Sequence, residues 1–231
     1  MTESILITGA NRGIGLALTE SFVSAGWQVL ACCRAPEAAI ELQQLAQQHP
    51  AVKILPLDVT DPEQLHELAE HLKGAPIDIL FNNAGIWGPP DQDFGVLDEA
   101  WWLETLRVNV IAPMKVVEAL VDNVAASQKR IIATMGCMLG CLENNKSGGI
   151  YIYRTSKVAA HMIMRGLAAD LRPHGIISVA LHPGWVRTRM NGPMAPLEPF
   201  ESAAGLSRVL LGLTLEQSGR LLTFEGRELA W

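Results

Sequence analysis

The chain has 231 residues, enough for one large α/β domain or two small ones, and 49% of them are apolar, enough for a substantial core. Charged residues make up only 18% and aromatic residues 6%, which argues against a disordered chain. The formal charge of −6 argues against nucleic acid or an anionic membrane as the main partner, and leaves room for a small anionic ligand in a local basic pocket.

At the amino end, Thr2-Glu3-Ser4 leads directly into Ile5-Leu6-Ile7, too short an apolar run for an export signal or a membrane span. A cytoplasmic location is therefore expected. The first strand candidate is Ser4–Thr8, followed by Gln28–Cys33, Val52–Leu57, Ile77–Phe81, Arg130–Met135, Ile176–Leu181 and Arg220–Phe224. Most are almost wholly apolar, as strands covered on both faces are. Helical patterns lie between them. Gly13–Ala25 follows the first strand and Ala38–Gln48 the second. Asp61-Pro62-Glu63 opens a third helix with an N-cap, a proline in the first turn and an early carboxylate. Val96–Val124 predicts a long helix, continuous or kinked near Pro113; Tyr151–Leu171 and Glu201–Leu213 predict two more. Alternation of this kind predicts the α/β class: one domain over residues 1–231, a doubly wound, seven-stranded parallel sheet flanked by helices. The irregular segments 82–98, 136–149 and 183–199 all follow strands, so they should gather at the carboxyl edge of the sheet and build a site there.

The segment Thr8-Gly9-Ala10-Asn11-Arg12-Gly13-Ile14-Gly15 joins a strand to a helix. Its glycines let the backbone approach a pyrophosphate, and the free N–H groups of the helix start would face it. Cofactor choice turns on the end of the second strand. An NAD site places a carboxylate there. This chain offers Arg34, with Arg12 inside the glycine turn, and two guanidinium groups suit the 2′-phosphate of NADP(H). The alternative is a pair of solvated arginines on a rim. Asp58-Val59, closing the third strand, could flank the adenine, although an aspartate after a strand is also common in turns.

Tyr153 and Lys157 stand four residues apart, on one face of a helix. A free phenol, with a pKa of about 10, relays protons poorly at neutral pH, and a neighbouring ammonium together with the cationic nicotinamide of an oxidised cofactor could lower it. The order and spacing of Thr8-Gly9-x-x-x-Gly13-x-Gly15, Asn82-Asn83-Ala84-Gly85, Asn109, Tyr153-x-x-x-Lys157 and Pro183-Gly184 resemble the short-chain dehydrogenase/reductase family over essentially the whole chain. Asn144–Gly149 and the ending from Phe224 to Trp231 resemble its C-factor-like and Sniffer-like carbonyl reductase branch. The resemblance implies a Rossmann domain and an NADP(H)-dependent oxidoreductase reducing a ketone or aldehyde. It implies that Tyr153 is the general acid/base, that Lys157 binds the nicotinamide ribose, and that Asn109 holds a water of the proton relay. Asn83 and Gly85 would pass beneath the cofactor, and Pro183, Val186 and Thr188 would lie against the nicotinamide.

One position departs from that family's pattern. Its usual serine after the fifth strand falls on Cys137, and a thiol is a weak donor. Cys137 could act as an imperfect donor, Thr134 or Tyr151 could replace it, or the chain could be a catalytically weakened NADP(H)-binding sensor or signalling protein. A role for Cys137 as a nucleophile lacks an evident base. The remaining cysteines, Cys32, Cys33 and Cys141, read as reduced thiols, and His161, His174 and His182 have no ligand spacing, so no metal is expected. The loop at about 184–199 should contact the substrate, with Trp185, Met190 and Met194 joining Trp87, Trp101 and Trp102 in an apolar wall. Packing or a subunit contact would explain those residues equally well. The apolar stripes of Val96–Val124 and Tyr151–Leu171 resemble the family's dimer interface, so a homodimer or homotetramer is expected.

Overall fold

The computed structural model describes residues 2–231; Met1, the first residue of the expected domain, lies outside them. Most of the apolar runs form strands buried on both faces, whereas the one over Val52–Pro56 leaves Lys53 and Pro56 exposed. β1 (Ser4–Thr8), β2 (Gln28–Cys33), β3 (Val52–Pro56), β4 (Ile79–Asn82), β5 (Ile131–Met135), β6 (Ile177–His182) and β7 (Leu221–Thr223) run parallel in the order 3-2-1-4-5-6-7. An eighth strand the sequence reading lacked, β8 (Glu228–Leu229), closes the edge antiparallel to β7. It is two residues long, and a backbone hairpin around Gly226 folds it back, with the Thr223 and Gly226 N–H groups bonded across the turn. So short a segment has no periodicity to read.

Side-chain alternation along each strand feeds two cores. From β1, Ile5 and Ile7 join Leu18 and Phe22 of α1 (Gly13–Ser24), Leu42 of α2 (Ile40–Gln48) and Leu206 and Leu210 of α7 (Pro199–Leu211). Leu6 points the other way, to Leu65 and Leu68 of α3 (Pro62–His71), Leu120 of α5 (Ala112–Ala125) and Met164 and Leu167 of α6 (Tyr151–Asp170). Asp61 caps α3 as expected, its Oδ1 accepting from the Glu63 and Gln64 N–H groups at 2.9 and 3.3 Å.

The expected helix over 96–124 is divided. α4 (Glu99–Leu106) starts from the Asp98 cap, a π-helical turn spans Arg107–Ile111, and α5 resumes with Pro113 in its first turn. Pro113 lacks an N–H, and a widened turn just before it absorbs the interruption without breaking the rod. Among the described residues no helix is long and apolar enough to cross a membrane, and no group of side chains could hold a metal ion.

At the amino ends of the strands the buried Asp78 ties two of them together. It accepts from the Ser4 N–H at 3.0 Å and from the Gln128 and Lys129 N–H groups at 3.2 and 3.3 Å. Removing it strands these donors, so Asp78→Ala should cost about 3 kcal/mol in urea unfolding. A loss under about 1 kcal/mol would show that the carboxylate is not the tie described.

Candidate active site

The sheet order reverses beside β1, between β2 and β4, and the loops leaving the carboxyl ends open there. After Thr8 the chain turns through Gly9 and Gly13, both left-handed at φ 66° and 53°, into α1. A Cβ on Gly15 would lie 2.3 Å from the Gly9 carbonyl oxygen, so only glycine fits. Thr8 Oγ1 accepts from the Asn83 and Ala84 N–H groups at 3.1 and 3.0 Å. The Asn83 amide in turn donates to the Thr8 and Gly9 carbonyls at 2.8 and 3.0 Å. Asn83 thus fixes the turn as well as lining the crevice.

The crevice is a cavity of about 1270 Å³. Gly9, Asn11, Arg12, Gly13, Ile14 and Gly15 form one wall of it. The start of α1 has no side-chain cap and no carboxylate in its first turn, so its N–H groups favour an anion. Arg12 and Arg34 also line the cavity, and neither has a carboxylate partner among the described residues. A glycine cradle, an uncapped helix start and two unpaired guanidinium groups together fit a phosphorylated dinucleotide. Asp58 and Val59 line the same cavity. Burial acts to raise the Asp58 carboxyl, but the Thr60 N–H and hydroxyl at 2.9 and 2.8 Å, with the Arg34 and Arg107 charges, hold it below its ordinary value.

Across the cavity, α6 presents Tyr153 and Lys157. Gln92 sets the start of this helix: its side chain accepts the Tyr153 N–H at 2.7 Å and its carbonyl the Tyr151 N–H at 3.0 Å. Ile150 enters the helix at φ 52°, a strained conformation for a β-branched residue. Tyr153 and Lys157 are only 7% and 5% exposed. The Trp87 ring lies on the Tyr153 ring, centroids 4.4 Å apart and tilted by 32°. Lys157 Nζ donates to the Met135 carbonyl at 2.9 Å and stands 5.5 Å from the Tyr153 ring centroid. The Cys137 thiol lies beside the phenol, and its sulfur accepts the Leu139 N–H at 3.4 Å.

Without a cofactor, the electrostatics of the pair favour the neutral phenol. Burial, reinforced by Cys137, pushes the Tyr153 phenol well above its ordinary value. Burial also pulls Lys157 down, with Cys137 opposing it. Withdrawal of the phenol from water thus keeps Tyr153 protonated at neutral pH in the protein alone.

Asn83, Gly85, Cys137, Pro183 and Thr188 all line the cavity, and Thr188 packs 3.3 Å from where a Gly13 Cβ would stand. Asn109 and Val186 do not. Asn109 sits in the π turn, donates to the Ile86 carbonyl at 2.8 Å and to Ser156 Oγ at 3.0 Å, and accepts the Ile86 N–H at 2.8 Å. Both its N–H bonds are therefore engaged in joining the segment after β4 to α6. Val186 is buried, in a bridge with Leu197. Of the two hydroxyls considered as substitutes for the serine, neither reaches the cavity: Thr134 Oγ1 is buried on β5 without a partner among the described residues, and Tyr151 lines a separate small cavity. Trp87, Trp185 and Met190 line the cavity, whereas Trp101, Trp102 and Met194 do not, Trp102 donating to Thr155 Oγ1 at 2.9 Å. All four cysteines are free thiols. Sequence reasoning missed Gln92, the Met135 carbonyl and His161, whose Nε2 accepts the Cys137 N–H at 3.2 Å. Only His161 left a signal, standing four residues beyond Lys157 on the same helix face.

A family profile described as short chain dehydrogenase matches residues 3–198. The carbonyl reductase Sniffer of D. melanogaster is 34% identical with a TM-score of 0.95, and each chain covers 100% of the other. The NADPH-bound carbonyl reductase from chicken fatty liver is also 34% identical, with a TM-score of 0.93, over 100% of this chain and 94% of that one. C-signal of Myxococcus xanthus is 38% identical over 167 residues, 72% of this chain and 100% of that protein.

Two buried imidazoles near the site make stability sensitive to acid. Burial, with the Lys157 and His182 charges adding to it, pulls His161 down to about 4, and burial pulls His182 to about 4. Between about pH 6.5 and pH 4 the unfolded chain binds these protons and the folded chain does not. The stabilisation is complete above that window and declines as pH falls through it, by up to about 1.4 kcal/mol per pH unit for each group. The urea midpoint should therefore fall between pH 7 and pH 5, and His182→Asn should remove about half of the slope. An unchanged midpoint would refute neutral burial of these rings.

Proposed function

The chain belongs to the short-chain dehydrogenase/reductase family, and from that premise we propose that it reduces an apolar ketone or aldehyde with NADPH. The observation that carries this reading is that Tyr153, Lys157 and Cys137 line the same cavity as the glycine turn and its unpaired arginines. Bound NADPH supplies the hydride that reaches the carbonyl carbon. The N–H groups at the start of α1 hold the pyrophosphate, and Arg12 and Arg34 hold the 2′-phosphate. Lys157, with one N–H on Met135, has two left for the ribose hydroxyls. Tyr153, kept neutral by burial, delivers its proton to the carbonyl oxygen as the alkoxide forms. Cys137 S–H donates a hydrogen bond to the same oxygen. Its sulfur is already oriented by the Leu139 N–H, which leaves the thiol hydrogen free to point into the cavity.

Trp87, Met138, Leu139, Trp185 and Met190 make the substrate end apolar, which suits a hydrophobic carbonyl compound, and the 184–199 loop serves as the substrate loop. Exposed Trp101, Leu103 and Ile111 on the α4–α5 rod and Met162 on α6 support a homo-oligomer assembled through those helices. One observation favours a second reading. A thiol where a hydroxyl would serve better suits a catalytically weakened NADP(H)-binding sensor.

A carbonyl panel with NADPH separates the two readings. Wild type should turn over, Tyr153→Phe should lose about 10²–10⁴ in kcat, and Cys137→Ser should gain about tenfold. NADPH binding without turnover in wild type, restored by Cys137→Ser, would establish the sensor reading instead. For the cofactor, Arg34→Asp should weaken NADPH binding by about 10²-fold while sparing NADH, measured by fluorescence titration. Equal losses for both would remove Arg34 from the 2′-phosphate.

A further inference from the structure

Tyr153, Lys157 and His161 stand at i, i+4 and i+8 on α6, in one line along its cavity-facing side. The first two reach the cavity and His161 does not: it is 2% exposed and lies behind the loop that carries Cys137. Its Nε2 accepts the Cys137 N–H at 3.2 Å, so its proton resides on Nδ1, which is buried without a partner among the described residues.

The loop is shaped around this ring. A Cβ on Gly140 would stand 2.7 Å from His161 Cε1, and a Cβ on Gly136 would stand 3.1 Å from His161 Nε2. Two glycines therefore flank the residue whose N–H the imidazole takes, and they let the ring seat against bare backbone. Behind it, the Trp231 ring packs at 5.6 Å between centroids. The Cys137 side chain is held from its other side by the Leu139 N–H at 3.4 Å. Backbone and sulfur are thus fixed at separate points, which sets the direction of the thiol.

We propose that His161 is a positioning residue: by accepting the Cys137 N–H it holds the thiol where it can donate to the substrate oxygen beside Tyr153. The role rests on the carbonyl-reductase reading for its catalytic consequence, but not for its geometry. His161 touches neither substrate nor cofactor and acts only through Cys137. Asparagine can supply the same acceptor through Oδ1, whereas leucine fills space and accepts nothing.

Three variants and one cycle test this. His161→Leu should lower kcat about tenfold with the NADPH Kd unchanged, and His161→Asn should recover most of it. In a Cys137→Ala background, His161→Leu should cost less than about twofold more, because the group it positions is gone. An activity-independent measurement runs beside it: alkylation of Cys137 by iodoacetamide, followed by mass spectrometry of the cofactor-free protein. His161→Leu should accelerate it about fivefold or more and His161→Asn should leave it near the wild-type rate. Full additivity in the cycle, or an alkylation rate indifferent to His161→Leu, would overturn the positioning role. If wild type reduces no carbonyl while the alkylation rates behave as expected, the carbonyl-reductase reading fails and the positioning geometry stands.

Discussion

A phenol and an ammonium are withdrawn from water together at the carboxyl edge of the sheet, beside a half-buried thiol, and the chemistry of the molecule follows from that withdrawal. Tyr153 and Lys157 are almost completely buried, yet both reach one cavity wall. Desolvation, reinforced by Cys137, disfavours the phenolate, and the Lys157 ammonium is held on the Met135 carbonyl. The consequence is a neutral acid beside the reaction site. A neutral acid suits reduction, where the oxygen of the carbonyl gains a proton as the carbon gains a hydride.

The fold keeps that arrangement in register with the glycine turn. β1 and β4 are adjacent, and the Thr8–Asn83 bonds join their ends, so the dinucleotide wall and the segment before α4 move as one body. Asn109 then binds that segment to α6 through Ile86 and Ser156. A chain of buried and part-buried hydrogen bonds thus runs from the glycine turn to the helix bearing Tyr153. Such a chain is costly to break at any link, since each freed donor would remain buried. The π turn at Arg107–Ile111 lies at the middle of this path, a location consistent with the tendency of such turns to occur at functional sites.

Much of this was legible in the sequence. Apolar runs located seven strands to within a few residues, because strands buried on both faces have nothing to alternate. The glycine turn and the Tyr153–Lys157 spacing carried their chemistry openly, since each depends on local geometry. What escaped depends on contacts distant in the chain. Gln92 meets Tyr153 sixty-one residues away, and His161 meets Cys137 across twenty-four. Burial is not written in the Tyr153–Lys157 spacing either, so the sequence alone could not show that the protein without its cofactor raises the phenol. Trp101 and Trp102 misled for the same reason: an aromatic residue announces apolar surface, not which side of a helix that surface occupies.

The chain contains two tyrosines, Tyr151 and Tyr153, which makes the central claim directly measurable. In a Tyr151→Phe variant the ultraviolet absorbance of phenolate reports Tyr153 alone. Titrated without cofactor, that variant should show no phenolate until well above about pH 10. Phenolate developing below about pH 9 would contradict the account, because the acid proposed to protonate the substrate would already be the anion the sequence alone suggested.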